Sequence, residues 1–216
     1  MALGRKLSSR PAGPAALSIV AGVVALTVAA CGGSASSASA TSHGSGSPSP
    51  QMSEHMTNAM TIGTDCGMIP SAGMGSMHGM ASEPVATAAS HDPLVTTFAA
   101  DVQKAGLTSA LNSAHAITVF AADNQAFSKL SAHDMAMMSG QTELAKVVNY
   151  HVVRGQIAPA DFARGMTLTT LEGGQLKISK MGSTYEVNNA AITCGNLHTA
   201  NATVYIINTV LMPPSS

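Results

Sequence analysis

The sequence predicts an α+β domain in the C-terminal part of the chain. Segments with helical periodicity come first and β-prone segments cluster late, so regular alternation of strands and helices is not expected. About 130 residues are available for this domain, which is enough for one hydrophobic core of ordinary size.

Three helices are expected. Asp92 and Pro93 predict a helix start, with Asp as the N-cap and Pro at the first helical position. An apolar face follows at helical spacing: Leu94, Val95, Phe98, Val102, Leu107 and Leu111. Ser131, with Asp134 three residues on, predicts a second capped helix that stops near Gly140. A third helical stripe contains Leu144, Val147, Val148 and His151.

The β-prone segments are short. Residues 117–120 predict a strand that enters a turn. Residues 176–179 and 185–188 alternate apolar and polar side chains on either side of 181–183, which predicts a β-hairpin. Residues 203–211 predict the final strand.

Residues 1–30 have the pattern of a lipoprotein signal peptide. Arg5, Lys6 and Arg10 are basic, and residues 17–30 form an apolar stretch too short for a convincing membrane span. The stretch ends in Val28-Ala29-Ala30-Cys31-Gly32, which is similar to a bacterial lipobox. We therefore expect a covalent lipid on Cys31, a membrane anchor with enough acyl chains for stable attachment, and an outward-facing location on the cell envelope. An ordinary secretory signal with a chance cysteine is the alternative.

Composition divides the rest of the chain. Residues 31–50 are rich in Gly, Ser, Ala, Thr and Pro and are expected to form a flexible tether. Residues 51–82 are rich in Met and His, and the folded domain is expected at 83–216. After Cys31, seven basic residues stand against eleven acidic ones, a formal charge of −4, so no basic patch for nucleic acid is expected.

Cys66 and Cys194 are the two cysteines that remain after Cys31. An even pair in an exported protein favours a disulfide, and this one would close a long loop. Two thiolates that bind a metal with nearby His and Met side chains are the alternative.

Three motifs resemble the fasciclin family. They are Ile117-Thr118-Val119-Phe120-Ala121-Ala122-Asp123-Asn124-Gln125-Ala126-Phe127, Val147-Val148-Asn149-Tyr150-His151-Val152-Val153, and Ala202-Thr203-Val204-Tyr205-Ile206-Ile207-Asn208-Thr209-Val210-Leu211-Met212-Pro213. The resemblance covers roughly His91 to Pro213 and implies a β-sandwich-like wedge flanked by several helices. The family usually has Pro where Ala122 stands, Thr or Ser where Asp123 stands, and often Asp where Asn208 stands.

Further segments are similar to the secreted and lipid-anchored immunogenic fasciclin proteins of mycobacteria. These segments are Pro84-Val85-Ala86-Thr87-Ala88-Ala89-Ser90, Thr193-Cys194-Gly195 and His198-Thr199-Ala200-Asn201-Ala202-Thr203-Val204-Tyr205. Those relatives have cysteines in the same two regions, and the resemblance therefore implies a Cys66–Cys194 pair.

The resemblance also marks possible binding residues in the motifs: Thr118, Phe120, Asn124, Phe127, Tyr150 and His151. In some animal fasciclin proteins the Tyr-His dipeptide lies in segments implicated in integrin binding. The apolar stripe around His151 favours a buried, hydrogen-bonded side chain instead, with the turn at Asp123-Asn124 as a partner. Asn124 is similarly expected to stabilise its turn rather than to contact a ligand.

The Met/His-rich segment suggests a second function. Thioether and imidazole groups suit copper, and they lie close together at His55, Met56, Met74, Met77, His78 and Met80. The alternative is that these methionines simply pack as flexible apolar side chains.

No catalytic motif is recognised, and no enzymatic activity is expected. The sequence predicts a monomeric envelope lipoprotein with a non-catalytic fasciclin domain for adhesion or recognition, with no cofactor, and with a host or matrix surface protein as partner. Envelope copper binding or stress protection, and a scaffold for other envelope proteins, are the alternatives.

Overall fold

The structure is a computed structural model that describes residues 61–214. The predicted signal peptide, Cys31, the tether, and His55 and Met56 of the Met/His-rich segment lie outside the described residues. Within residues 61–214, no helix is both long and apolar enough to cross a membrane.

Short helices make up most of the first half of the described chain. They are a 3₁₀ helix at Asp65–Met68, then α1 Met77–Ala81, α2 Val85–His91, α3 Thr96–Lys104, α4 Thr108–Ser113, α5 Asn124–Ser128, α6 Ala132–Met137, α7 Gln141–Tyr150 and α8 Pro159–Phe162. The strands are β1 Ile117–Ala122, β2 Val152–Arg154, β3 Met166–Thr169, β4 Gln175–Met181, β5 Thr184–Val187, β6 Ala190–His198 and β7 Ala202–Ile207. The fold is therefore α+β, as predicted.

The seven strands form one sheet in the order β2-β1-β7-β6-β5-β4-β3. Strands β1 and β7 pair in parallel from Ile117–Ala202 to Ala122–Ile207, and the other neighbours pair antiparallel. All six residues of β1 and all six of β7 are buried. Their near-continuous apolar sequences reflect this, because a strand covered on both faces has no polar side to present.

The two ends of the sheet approach each other. The Leu171 amide, just beyond β3, donates to the Val152 carbonyl of β2 at 2.7 Å, and Val153 bridges Thr170. The sheet thereby curls into a nearly closed wedge. An aromatic cluster lies buried in the core, with Phe162 4.7 Å and Phe120 5.7 Å from the ring centre of Tyr205.

Several local predictions are confirmed. Ser131 and Asp134 form the capping box of α6. Strands β4 and β5 form the predicted hairpin around Gly182. The final strand is shorter than predicted, since it ends at Ile207 rather than at residue 211.

The predicted helix start at Asp92-Pro93 is wrong. Asp92 instead follows α2, and its carboxylate accepts a hydrogen bond from the Leu94 amide at 2.9 Å, which makes a turn between two helices. Helix α3 begins only at Thr96. The local sequence suits either role, because Asp accepts a backbone hydrogen bond both at an N-cap and in a turn.

Folded structure also begins earlier than the predicted boundary at Glu83. Residues 61–82 form a segment that we call the N-terminal arm. Ile62 pairs with Gly195 of β6 through two backbone hydrogen bonds of 3.2 and 2.7 Å. Met80 is only 4% exposed and belongs to the hydrophobic core. Composition did not reveal this because the arm is held by a few long-range contacts rather than by an apolar pattern of its own.

Candidate functional site

Asn124 connects two parts of the chain that are distant in sequence. Its side-chain oxygen accepts from the Thr97 amide at 2.9 Å and from the Thr96 hydroxyl at 3.1 Å. Its side-chain amide donates to the Pro93 carbonyl at 2.8 Å, and its backbone amide donates to the Leu94 carbonyl. Val95, the residue directly before α3, makes no capping hydrogen bond with its side chain. Asn124 caps the N-terminus of α3 instead. The sequence predicted that Asn124 stabilises its own turn, whereas its side chain bonds the start of α3 about 30 positions earlier in the chain.

Thr118 is fully buried in β1 and holds the loop after β2. Its hydroxyl donates to the Gly155 carbonyl at 2.7 Å and accepts from the Ile157 amide at 2.9 Å. Both hydrogen-bonding capacities of the hydroxyl are therefore used inside the protein.

His151 lies at the C-terminal end of α7 and is 1% exposed. The Leu211 amide donates to Nε2 at 3.0 Å, so Nδ1 carries the proton and donates to the Val147 carbonyl at 2.8 Å. The Phe98 ring lies 5.3 Å from the imidazole. Burial lowers the pKa of His151 to about 4, against the weaker opposing effect of the Val147 hydrogen bond.

His151 is buried, as the sequence predicted, but its hydrogen-bond partners differ from the predicted one. The sequence suggested the turn at Asp123-Asn124, whereas the imidazole joins α7 to the segment that follows β7. Leu211 is 60 positions further along the chain, and no local pattern indicates such a partner.

The other motif residues are also engaged in the fold. Phe120 is buried in the aromatic cluster, and Phe127 packs partly buried against the core. Tyr150 is 3% exposed, and its hydroxyl donates to the Gln175 carbonyl at 3.0 Å. Its hydroxyl also accepts from Asn188 at 3.4 Å. Four of the motif residues therefore stabilise the domain with almost no exposed surface: Thr118, Phe120, Tyr150 and His151.

The predicted disulfide between Cys66 and Cys194 is present, so these sulfurs are not thiolates available to a metal. It attaches the N-terminal arm to β6. The backbone of the arm at Gly63 also lies very close to the backbone of β6, since a side chain at Gly63 would collide with the Thr193 carbonyl. Gly63 has a φ of +108°, which favours glycine as well. The arm therefore lies tightly against the sheet on the N-terminal side of the cysteine.

An open depression of about 310 Å³, which we call the corner groove, lies where the arm meets the first motif. Its lining residues come from the arm, the turn before α3, helix α5 and strand β6 with the end of β7: Asp65, Met68, Pro93, Leu94, Asp123, Asn124, Gln125, Lys129, Thr193 and Asn208. Sequence reasoning selected only Asn124 of these as a possible binding residue. The rest are assembled by the disulfide and by long-range pairing.

The corner groove combines charged groups with apolar surface. The Asp123 carboxylate caps α5 by accepting from the Ala126 amide, and the Lys129 ammonium donates to the Asn208 carbonyl at 2.8 Å. Met68 is 56% exposed at its edge, two residues from the disulfide. The corner groove therefore presents carboxylates, an ammonium group and an exposed thioether on one surface.

The proposed copper ligands in the described residues do not share one environment. Met80 is buried in the core, Met77 packs partly buried against it, and Met74 is 57% exposed. His78 is exposed on α1. Met80 is therefore a packing residue, and its thioether is not available to a metal in this fold.

The Fasciclin domain family matches residues 93–213, and the chain belongs to this family. The family is known for non-catalytic adhesion domains, and the wedge of seven strands with flanking helices is the fold that the resemblance implied.

Three relatives illustrate the similarity. Immunogenic protein MPB70 of Mycobacterium bovis is 41% identical over 149 residues, which cover 66% of this chain and 76% of that protein. Cell surface glycolipoprotein MPB83 of Mycobacterium bovis has the same identity, with 66% of each chain covered. Transforming growth factor-beta-induced protein ig-h3 of Sus scrofa is 32% identical over 126 residues, which cover 58% of this chain and 18% of that protein.

Among solved structures, a FAS1 domain pair from the insect cell adhesion molecule Fasciclin I matches with a TM-score of 0.47 and 17% identity. The match covers 58% of this chain and 47% of that one.

Proposed function

We propose that this protein is a lipid-anchored module of a bacterial cell envelope that recognises a surface protein of a host or matrix without catalysing a reaction. The observation that carries the proposal is the use of the motif side chains. The polar side-chain atoms of Thr118, Tyr150 and His151 form hydrogen bonds inside the domain. Recognition is therefore assigned to surface residues that these motifs hold in place.

The corner groove is the surface that best fits this role. Its walls come from segments far apart in sequence, and a disulfide and the hydrogen bonds of Asn124 fix their positions. A preorganised surface loses less conformational entropy when a partner binds. Met68, Gln125 and Lys129 are exposed there and can contact a partner without unfolding the domain.

The state of His151 supports a non-catalytic function. A general base needs a ring nitrogen that can reach the substrate and a pKa near the working pH. Both nitrogens of His151 are engaged with the backbone, and burial lowers its pKa to about 4. The imidazole is thus suited to stabilising the fold.

The envelope location is supported by two independent observations. The relatives are named as an immunogenic protein and a cell surface glycolipoprotein. The sequence Val28-Ala29-Ala30-Cys31-Gly32 is similar to a lipobox. Intact-mass spectrometry of the membrane fraction tests the anchor. A mature chain that begins at acylated Cys31 is expected, and a membrane-bound Cys31→Ala variant would contradict it.

Recognition is tested with the soluble mature chain, which starts after Cys31, on surfaces coated with collagen or fibronectin. Variants Lys129→Ala and Gln125→Ala change the corner groove, and Lys177→Ala on β4 is the matched exposed lysine control. We expect the groove variants to lower binding about tenfold or more with unchanged melting temperature, a change typical of interface residues. Equal binding by all variants would place the contact elsewhere.

Copper binding remains a separate prediction for the Met/His-rich segment. A Cu(I) titration of the soluble mature chain tests it, with Met74→Leu and Met80→Leu as paired variants. Because Met80 is buried, only the Met74 substitution is expected to weaken binding. Equal loss in both variants would show that the arm leaves the domain to bind copper.

A further inference from the structure

The large apolar side chains exposed on the described domain are all methionines. Met68, Met74, Met135 and Met181 are 56%, 57%, 59% and 66% exposed. By contrast, the Leu, Ile, Val, Phe and Tyr side chains of residues 61–214 are all buried or half-buried. Among large apolar side chains, the surface of the described residues therefore presents only thioethers.

These methionines lie on separate elements. Met68 ends the 3₁₀ helix, Met74 precedes α1, Met135 is in α6 and Met181 ends β4. They are thus distributed over several elements of the described domain. Their shared property is chemical, because a solvent-facing thioether sulfur can be oxidised.

The four exposed methionines differ from the other methionines of the described residues, which are buried or half-buried. Met80 is 4% exposed and fills space in the core beside α2. Oxidation of such a side chain would place a polar sulfoxide in the core, whereas oxidation of an exposed methionine adds a polar group where water already lies. The fold can therefore accept oxidation at its surface without loss of packing.

We propose that Met68, Met74, Met135 and Met181 are sacrificial oxidation sites that consume two-electron oxidants such as hydrogen peroxide at the surface of the domain. The sulfur lone pair attacks one peroxide oxygen, the S–O bond forms and the O–O bond breaks. Proton transfer to the leaving oxygen releases water. Each sulfur is oxidised by two electrons to the sulfoxide, and one peroxide is reduced. Methionine sulfoxide reductases can restore the thioether.

The test treats the soluble mature chain with hydrogen peroxide and follows each methionine by peptide mass spectrometry. We expect the four exposed methionines to form sulfoxide about tenfold or more faster than Met80, because the reaction follows access to the sulfur. The melting temperature should be unchanged when these four are oxidised. Oxidation of Met80 at the same rate, or a loss of melting temperature with the four sulfoxides, would overturn the proposal.

A second measurement tests protection directly. The protein is mixed with a methionine-containing reporter peptide and a limiting amount of peroxide. Replacing all four exposed methionines with leucine should leave more reporter oxidised than the wild type does, whereas Met80→Leu should not. Equal oxidation of the reporter with wild type and quadruple variant would show that these sulfurs protect nothing.

Discussion

His151 provides the most quantitative prediction, because its protonation is coupled to folding. In the folded protein burial lowers its pKa to about 4, whereas the ordinary value is 6.5. Between these values the unfolded chain binds the proton and the folded domain does not. Stability from this group is therefore complete above about pH 6.5 and is lost as the pH falls toward 4.

The size of the effect follows from the same two values. One pKa unit corresponds to about 1.4 kcal/mol, so the full effect is about 3 kcal/mol, of which about 2 kcal/mol is already lost at pH 5. The cause is structural: a charged imidazole could no longer accept the Leu211 amide at Nε2.

The assay is urea unfolding of the soluble mature chain at pH 8 and pH 5, for wild type and His151→Gln. At pH 8 the variant should be less stable, since one or both of the buried partners Val147 and Leu211 lose their hydrogen bond. Between pH 8 and pH 5 the wild type should lose about 2 kcal/mol more than the variant. Other titrating groups are common to both proteins and cancel in this comparison. Equal pH dependence of the two proteins would refute the reasoning.

Three further predictions concern the remaining structural contacts. Asn124→Ala should destabilise the domain by about 1–2 kcal/mol in denaturant unfolding, because the Thr97 amide at the start of α3 loses its cap; an unchanged free energy of unfolding would contradict this. Thr118→Val should cost about 2–4 kcal/mol by leaving buried backbone groups unpaired, and Thr118→Ser should recover most of it; no recovery would mean that the methyl group matters more. Replacing Cys66 and Cys194 with serine should lower the free energy of unfolding by up to about 5 kcal/mol. A reductant should lower the unfolding midpoint of the wild type and leave that of the double variant unchanged; an unchanged wild-type midpoint would contradict this.

Local features of the fold were predictable from the sequence, since their physical causes lie within a few residues. The capping box of α6 needs only Ser131 and Asp134, and the β4–β5 hairpin needs alternating side chains around a glycine turn. The start of α3 was misplaced because its cap, Asn124, comes from a distant part of the chain.

The candidate site was less predictable for the same reason. The sequence indicated that His151 would be buried, but its partner Leu211 is supplied by the folded topology. The methionines show the limit most clearly. Met74 and Met80 belong to one compositional segment, yet one is exposed and the other lies in the core. Composition cannot separate them, since thioethers suit both water-facing and packed positions.

The central claim is that the buried motif residues, such as His151, stabilise the domain while exposed side chains of the corner groove contact the partner. The most direct measurement records melting temperature and binding to the matrix-coated surfaces together, for His151→Gln and Lys129→Ala. The account predicts that His151→Gln lowers the melting temperature but leaves binding unchanged at temperatures where the variant is folded. It predicts that Lys129→Ala weakens binding but leaves the melting temperature unchanged. Loss of binding in folded His151→Gln, with full binding by Lys129→Ala, would contradict it.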